Sequence, residues 1–232
     1  GLKRKRPPKR RGTRRQKIVK VWEPRNRRYN GRMLVVDVEA SGTEAHKHSI
    51  VSVGALDLAN PTNRFYEECR VWDGAHIQGE ALEVNGFTKE QITDGNKQSE
   101  ADLVHAFLRW SEGLEERTFA GQNPSFDRDF IKYAIQRAGH TEWPFAHRTI
   151  DTHTLCYMHM IDHGVQPQVD KKKHHSALNL DAVLNYCGIP REPEPHNALT
   201  GALSHAEVIS RLLYGRKLLP EFEQFEIPWR AK

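Results

Sequence analysis

Residues 33–40, MLVVDVEA, place the first constraint on the fold. Aliphatic side chains at 34, 35, 36 and 38 suit a buried, pleated strand, yet Asp37 and Glu39 interrupt the run. Successive strand side chains point to opposite faces, so the two acids share one face, about 6.5–7 Å apart. Carboxylates so placed repel each other unless they are protonated or bound to cations. A lone DxE pair also fits a solvated strand face, or acids that cap neighbouring loops. The alternative is a hard-cation site, because Mg2+ and Mn2+ take carboxylate oxygens and keep waters for a phosphate substrate. Ser41-Gly42 ends the strand directly afterwards. That puts the pair at the carboxyl end of the sheet, where α/β sites open.

Further elements follow from periodicity and punctuation. SIVSVGALDL (49–58) reads as a second strand, ANPTN (59–63) as a turn and RFYEECRVW (64–72) as a third strand, an antiparallel meander. In 97–114, Leu103, Ala106, Phe107 and Trp110 recur at helical spacing, with Ser99 as N-cap. RTFAGQ (117–122) is a short buried strand. A helix then starts with Asn123 as N-cap and Pro124 at its first position, and Gly139 caps its end. HRTID (147–151) is another short strand, followed by helices at 152–162, 178–187 and 198–214 and a loop at REPEPHN (191–197). Three antiparallel strands followed by alternating helix and strand give an α/β fold: a mixed sheet flanked by helices.

Charge divides the chain. Residues 1–32 hold 15 Lys or Arg against one acid, Glu23, a net of +14. The other 200 residues hold 20 basic and 29 acidic side chains, a net of −9. A block of like charge cannot bury apolar area to offset its ordering entropy, so this extended basic arm is expected to be disordered by itself. Lys3, Arg4, Lys5, Arg6, Lys9, Arg10, Arg11, Arg14, Arg15, Lys17, Lys20, Arg25, Arg27 and Arg28 are its candidate nucleic-acid contacts, releasing counterions from phosphates. A solvated tail or a nuclear-type address is the plainer reading. The expected layout is an arm at 1–32, a catalytic-type domain at 33–216 and a C-terminal tail at 217–232. Cys69, Cys156 and Cys187 show no CxxC spacing and are expected as reduced thiols in a reducing, intracellular compartment. No stretch approaches the roughly 20 apolar residues of a membrane span, so no membrane partner is expected.

Two further residues join the acidic pair. Asp127 precedes Phe130, Ile131 and Ala134 at 3-4-7 spacing and so faces inward with them; a first-turn acid facing the helix dipole explains Asp129 better. His196 lies just ahead of the last helix, where a lone histidine is usually a surface or satisfied one. The set, in this order, resembles the DEDD-type 3′–5′ exonucleases in their histidine-containing, DnaQ-like branch, over residues 33–214. IDTHTLCYM and LNLDAVLNYCGI are similar to that family's linking segments. The resemblance implies an RNase H-like fold and two Mg2+ or Mn2+ ions held by Asp37, Glu39 and Asp127. His196 would take the proton of the attacking water, and nucleoside monophosphates would leave DNA or RNA 3′ ends.

The resemblance breaks at one place. The family's fourth acid lies five residues after the histidine, and here that residue is Gly201. Glycine inside a helix costs about 1 kcal/mol against alanine. His205, one turn on, is a substitute ligand by position; otherwise water fills the place, or the site is degenerate and the fold only binds. The alternative function is therefore a structural protein of a ribosome or other RNA–protein particle, anchored by its arm. His153, Cys156, His159 and His163 fall along one helix face too long for a single tetrahedral Zn2+. KKKHH (171–175) reads as a mobile basic loop near substrate.

Overall fold

The computed structural model describes residues 31–230. The basic residues at 1–30 lie outside that range. Strands β1 (Leu34–Ala40), β2 (Ile50–Asp57) and β3 (Asn60–Glu68) form the expected meander. Strands β4 (Phe119–Gly121) and β5 (Thr149–Asp151) join it in the order β3-β2-β1-β4-β5. β1–β2 and β2–β3 are antiparallel, whereas β1–β4 and β4–β5 are parallel. This is the mixed sheet of the RNase H-like fold. The hairpin between β2 and β3 is tighter than the ANPTN reading. Asp57 pairs with Asn60, and the turn is only Leu58-Ala59, held by Ala59 N donating to Asp57 Oδ1 at 2.9 Å. β3 therefore starts inside the expected turn and stops four residues before Trp72.

Helices cover both faces. α3 (Glu100–Glu112) and α4 (Pro124–Arg137) pack on one, where Leu34, Val36 and Val38 meet Leu103, Phe107, Phe130 and Ile131. Ser99 caps α3 through a capping box with Asp102. Asn123 precedes α4 at φ 51° and its side chain makes no cap bond; instead Asn123 N donates to Asp151 Oδ1 at 3.2 Å. Ala138 is the C-cap of α4, and Gly139 follows at φ +86°. On the other face lies α7 (Ala198–Tyr214), whose Ala202, Ala206 and Ile209 meet Val35, Leu56 and Ala120. α5 (Thr152–Asp162) and α6 (Leu180–Cys187) close a third cluster against α7 around buried Cys156 and Cys187. Among the described residues, the cysteines are free thiols and no helix is long and apolar enough to cross a membrane.

Three features were not anticipated. α1 (Gly79–Asn85) and α2 (Lys89–Thr93) occupy the connection after β3. KKKHH is the tip of a small hairpin, β6 (Val169–Asp170) with β7 (His175–Ser176). The segment after residue 217 packs on the domain, with Leu219 and Ile227 buried.

Candidate active site

Alternation along β1 explains how two acids come to rest in a core strand. Met33 and Val35 face α7 within its apolar cluster. Asp37 and Glu39 continue that row toward the first turn of α7, and both are half-buried. Opposite them in register stand Gly54 and Ser52 of β2. The Ser52 hydroxyl is buried with no hydrogen-bond partner. Asp127, in the first turn of α4, is 3 % exposed, and its Oδ1 accepts a hydrogen bond from Val38 N at 3.0 Å. That bond ties the third acid to the backbone between the first two.

Burial and mutual repulsion raise all three carboxyls. Asp37 is pushed well above the ordinary carboxylate range, first by burial and then by the charges of Asp127, Glu39 and Glu192. Burial carries Asp127 up to about 8, against the pull of two backbone N–H groups. Burial and Glu192 carry Glu39 to about 7. The site thus holds a local excess of negative charge that protons or cations must offset.

Glu192 was missed in the sequence, where it reads as one of two acids in a proline-rich loop and carries no motif signal. Its Oε1 is buried with no hydrogen-bond partner. Burial raises its pKa, while His196 and the Ser204 hydroxyl draw it down. His196 sits in the same loop, its N–H donating to Val84 O of α1 at 3.2 Å. Next to it, Asn197 caps α7 and donates from Nδ2 to Tyr66 Oη at 2.9 Å.

Gly201 is not an open position. A Cβ there would lie 2.1 Å from Asp37 Oδ2 and 2.7 Å from Asp37 Cγ. The Asp37 carboxylate occupies the space that any side chain at 201 would enter. His205 is 1 % exposed and packs against Gly121 of β4, where an added Cβ would meet its Nδ1 at 3.1 Å. Both its ring nitrogens lack partners, and burial holds its pKa down to about 4.

Oxygen donors from Asp37, Glu39, Asp127 and Glu192, with one buried oxygen unpartnered, suit a hard divalent cation by their chemistry. As placed, no three His, Cys, Asp or Glu side chains among the described residues, His205 included, stand close enough to hold an ion. On α5, His153 Nε2 meets Ser176 Oγ at 2.9 Å, His159 Nδ1 meets Tyr186 Oη at 2.8 Å, and His163 stacks on His159.

The sequence pattern of the exonuclease family (RNase_T) matches residues 34–209, from the first strand into the last helix. The chain belongs to the exonuclease family. Among its exonuclease relatives, ribonuclease T of Klebsiella pneumoniae is 29 % identical over 125 residues, covering 48 % of this chain and 58 % of the relative. Ribonuclease T of Yersinia pseudotuberculosis is 27 % identical over 136 residues, covering 53 % and 63 %. The chain thus spans less than two thirds of the length of either ribonuclease T. In three dimensions the fold is similar to the nuclease domain of 3′hExo, a DEDDh family member bound to rAMP. The TM-score is 0.60 at 16 % identity, over 83 % of this chain and 96 % of that one. It is also similar to cell-death related nuclease 4, with a TM-score of 0.63 at 14 % identity over 80 % and 64 %. A third similar fold is E. coli exonuclease I in complex with a dA16 oligonucleotide, at 0.59 and 15 % identity over 79 % and 42 %.

Proposed function

We propose that this exonuclease-family chain hydrolyses the terminal phosphodiester of single-stranded RNA or DNA in the 3′–5′ direction and releases nucleoside monophosphates. The observation that carries the reading is the convergence of Asp37, Glu39 and Asp127 from two elements, with Glu39 and Asp127 adding to the charge that Asp37 must bear, beside the loop that bears His196. A purely structural body gains nothing from such a cluster, since unpaired carboxylates oppose folding.

Asp37, Glu39 and Asp127 are the residues that would hold divalent cations, two Mg2+ or Mn2+ by the resemblance. When bound, such ions activate water, polarise the scissile phosphate and neutralise the leaving oxygen. The rest belongs to the chain. His196 accepts the proton of the attacking water as general base. The water oxygen bonds to phosphorus while the bond to the preceding 3′ oxygen breaks. The Val38 N–H holds Asp127 in place throughout. The exonuclease I likeness, solved with dA16, supports a single-stranded partner. The arm at 1–32, nearly all of it outside the described residues, supplies affinity for the remaining polynucleotide.

The test is release of labelled mononucleotide from 3′-labelled RNA and DNA with Mg2+ or Mn2+. Wild type should cleave, and Asp37→Asn and His196→Ala should each lose at least about a hundredfold of the rate, as expected when a general base or charge-stabilising group is removed. Both should keep the wild-type circular dichroism spectrum. Wild-type protein inert on every 3′ end with either ion would sink the proposal.

A further inference from the structure

We propose that the β6–β7 hairpin, with Tyr157 of α5 beside it, holds the single-stranded polynucleotide on its way to the acids of β1, its lysines on phosphates and the tyrosine ring on a base. The inference rests on the exonuclease reading and gives it a substrate-binding surface within the folded body.

The hairpin is rooted at the edge of the sheet where the acids lie. Strands β1, β4 and β5 run parallel, so their carboxyl ends share one edge. Asp37 and Glu39 stand at that end of β1, and Asp127 follows β4 in the first turn of α4. Gln122 leads from β4 into α4, and its amide joins this connection to the hairpin. Its Nε2 donates to Leu178 O at 3.2 Å, and its Oε1 accepts from Thr152 Oγ1 at 2.6 Å. His153 Nε2 meets Ser176 Oγ of β7 at 2.9 Å. Asp151, the last residue of β5, accepts from both Asn123 N and His153 N through Oδ1. The connection that delivers Asp127 to the site thus also holds the root of the hairpin.

The tip is a built turn. Asp170 Oδ1 accepts from Lys172 N at 2.8 Å and from Lys173 N at 3.0 Å, and His174 N donates to Asp170 O at 2.8 Å. His174 adopts φ +54°, a left-handed conformation uncommon outside glycine. Asp170 is thereby committed to the backbone of the turn. Lys171, Lys172 and Lys173 are exposed and take part in no ion pair among the described residues. Three adjacent unpaired lysines run against the character of the body, whose net charge from residue 33 onward is −9. A polyanion brought to Asp37, Glu39 and Asp127 meets repulsion there. Cations along the same edge offset it, and phosphate contacts fix the course of the strand. Tyr157 is 40 % exposed, and its ring centroid stands 6.4 Å from that of His153, the residue that bonds the hairpin. An exposed ring beside a row of unpaired cations is the combination that holds single strands without reading their sequence.

The experiment uses the full chain and a fluorescent single-stranded oligonucleotide of about 12 nucleotides, long enough to reach beyond the reacting end. Its affinity is measured by anisotropy in EDTA across a salt series, and KM and kcat for its hydrolysis are measured with Mn2+. The variants are Lys172→Gln with Lys173→Gln, Tyr157→Ala, and a control pair, Arg109→Gln with Arg148→Gln. The two arginines are exposed and lie toward the amino edge of the sheet, one in the last turn of α3 and one just before β5. Losing two phosphate contacts should take about 1.4 off the slope of log affinity against log salt, and should weaken binding at least about tenfold near 0.1 M salt. Tyr157→Ala should weaken it at least about fivefold and keep the wild-type slope. In both, the loss should fall on KM and not on kcat, which separates a binding role from a disturbed site. The arginine pair should match wild type, and all the proteins should melt alike. An equal loss in the arginine pair would assign the effect to overall charge and overturn the inference. Wild-type affinity and slope in the lysine pair, with wild type active, would also overturn it and leave the exonuclease reading standing. A wild type that releases nucleotide from no 3′ end overturns both.

Discussion

A single methyl group tests how tightly the site is drawn. Gly201→Ala places a Cβ 2.1 Å from Asp37 Oδ2, and the oxygen is the part that must give. Alanine also favours the helix by about 1 kcal/mol. The variant should therefore melt at or above the wild-type temperature yet bind Mn2+ and release nucleotide less well, because Asp37 has been turned. Gly201→Asp should do more harm, adding charge as well as bulk. Thermal melts beside a Mn2+ titration separate these effects; a gain of activity in either variant would contradict the closed position. The raised carboxyls give a second prediction. Their folded pKa values exceed the unfolded ones, so the stability they confer is full below about 4 and is lost as pH rises through about 7 for Glu39 and about 8 for Asp127. His205 and His159 act oppositely. Both are held down to about 4 from 6.5, so their contribution is lost as pH falls below 6.5. Between pH 6.5 and 8 the acids act alone. Stability in EDTA should fall there by on the order of 1 kcal/mol per pH unit for each proton bound only in the folded state. Mn2+ should flatten that slope in denaturant titrations, and a slope indifferent to Mn2+ would argue against a shared cation site.

At the scale of elements, α7 does most of the organising. Its Glu207 and Arg211 form a fully buried ion pair at 2.7 Å. Glu207 Oε2 accepts from Leu218 N and Leu219 N at 2.9 and 3.0 Å. Arg211 donates to the carbonyls of Cys187, Phe222, Phe225 and Glu226. One helical turn thus fastens the end of α6 and the whole C-terminal segment. Removing one partner leaves a buried charge uncompensated, at about 3–5 kcal/mol. Glu207→Gln should lower the urea midpoint accordingly, and a loss below about 1 kcal/mol would mean that the carbonyl cage alone satisfies Arg211. The same packing fixes the far end of the helix that abuts Asp37, so such a variant should also weaken Mn2+ binding by a modest factor.

The whole molecule is an acidic body with a basic extension. Deleting residues 1–32 removes a net +14 and leaves a net of −9. Affinity for long RNA or DNA should drop steeply, and its dependence on salt should flatten, since each neutralised phosphate contributes a slope of about −0.7 to −0.9. Hydrolysis of a short 3′-ended substrate should persist, because the described site draws on nothing before β1. Affinity against salt for both chains is the measurement, with sedimentation alongside ribosomes as a second arm. Equal salt slopes would show that the extension does not touch the polynucleotide. Arg32, at its base, pairs with Glu115 and marks where the charge block meets the folded body.

Local chemistry made much of this protein legible in one dimension. Alternation in MLVVDVEA put Asp37 and Glu39 on one face, and the 3-4-7 spacing after Asp127 turned that acid inward; both arrangements recur in space. Ser99 announced the start of α3 because a cap is a bond between near neighbours. What no local pattern carried was the distance between elements. That Gly201 meets Asp37, that Gly54 admits Ala198, and that His205 turns to Gly121 depend on how far α7 settles onto the sheet, which packing decides. Asn123 illustrates the same limit in small: in sequence it is an ordinary N-cap, but the close pairing of β4 with β5 sends its backbone to Asp151. Glu192 lies in a loop with no period to read, and only the fold, which packs Pro195 of that loop against Gly86 after α1, leaves its Oε1 buried without a partner.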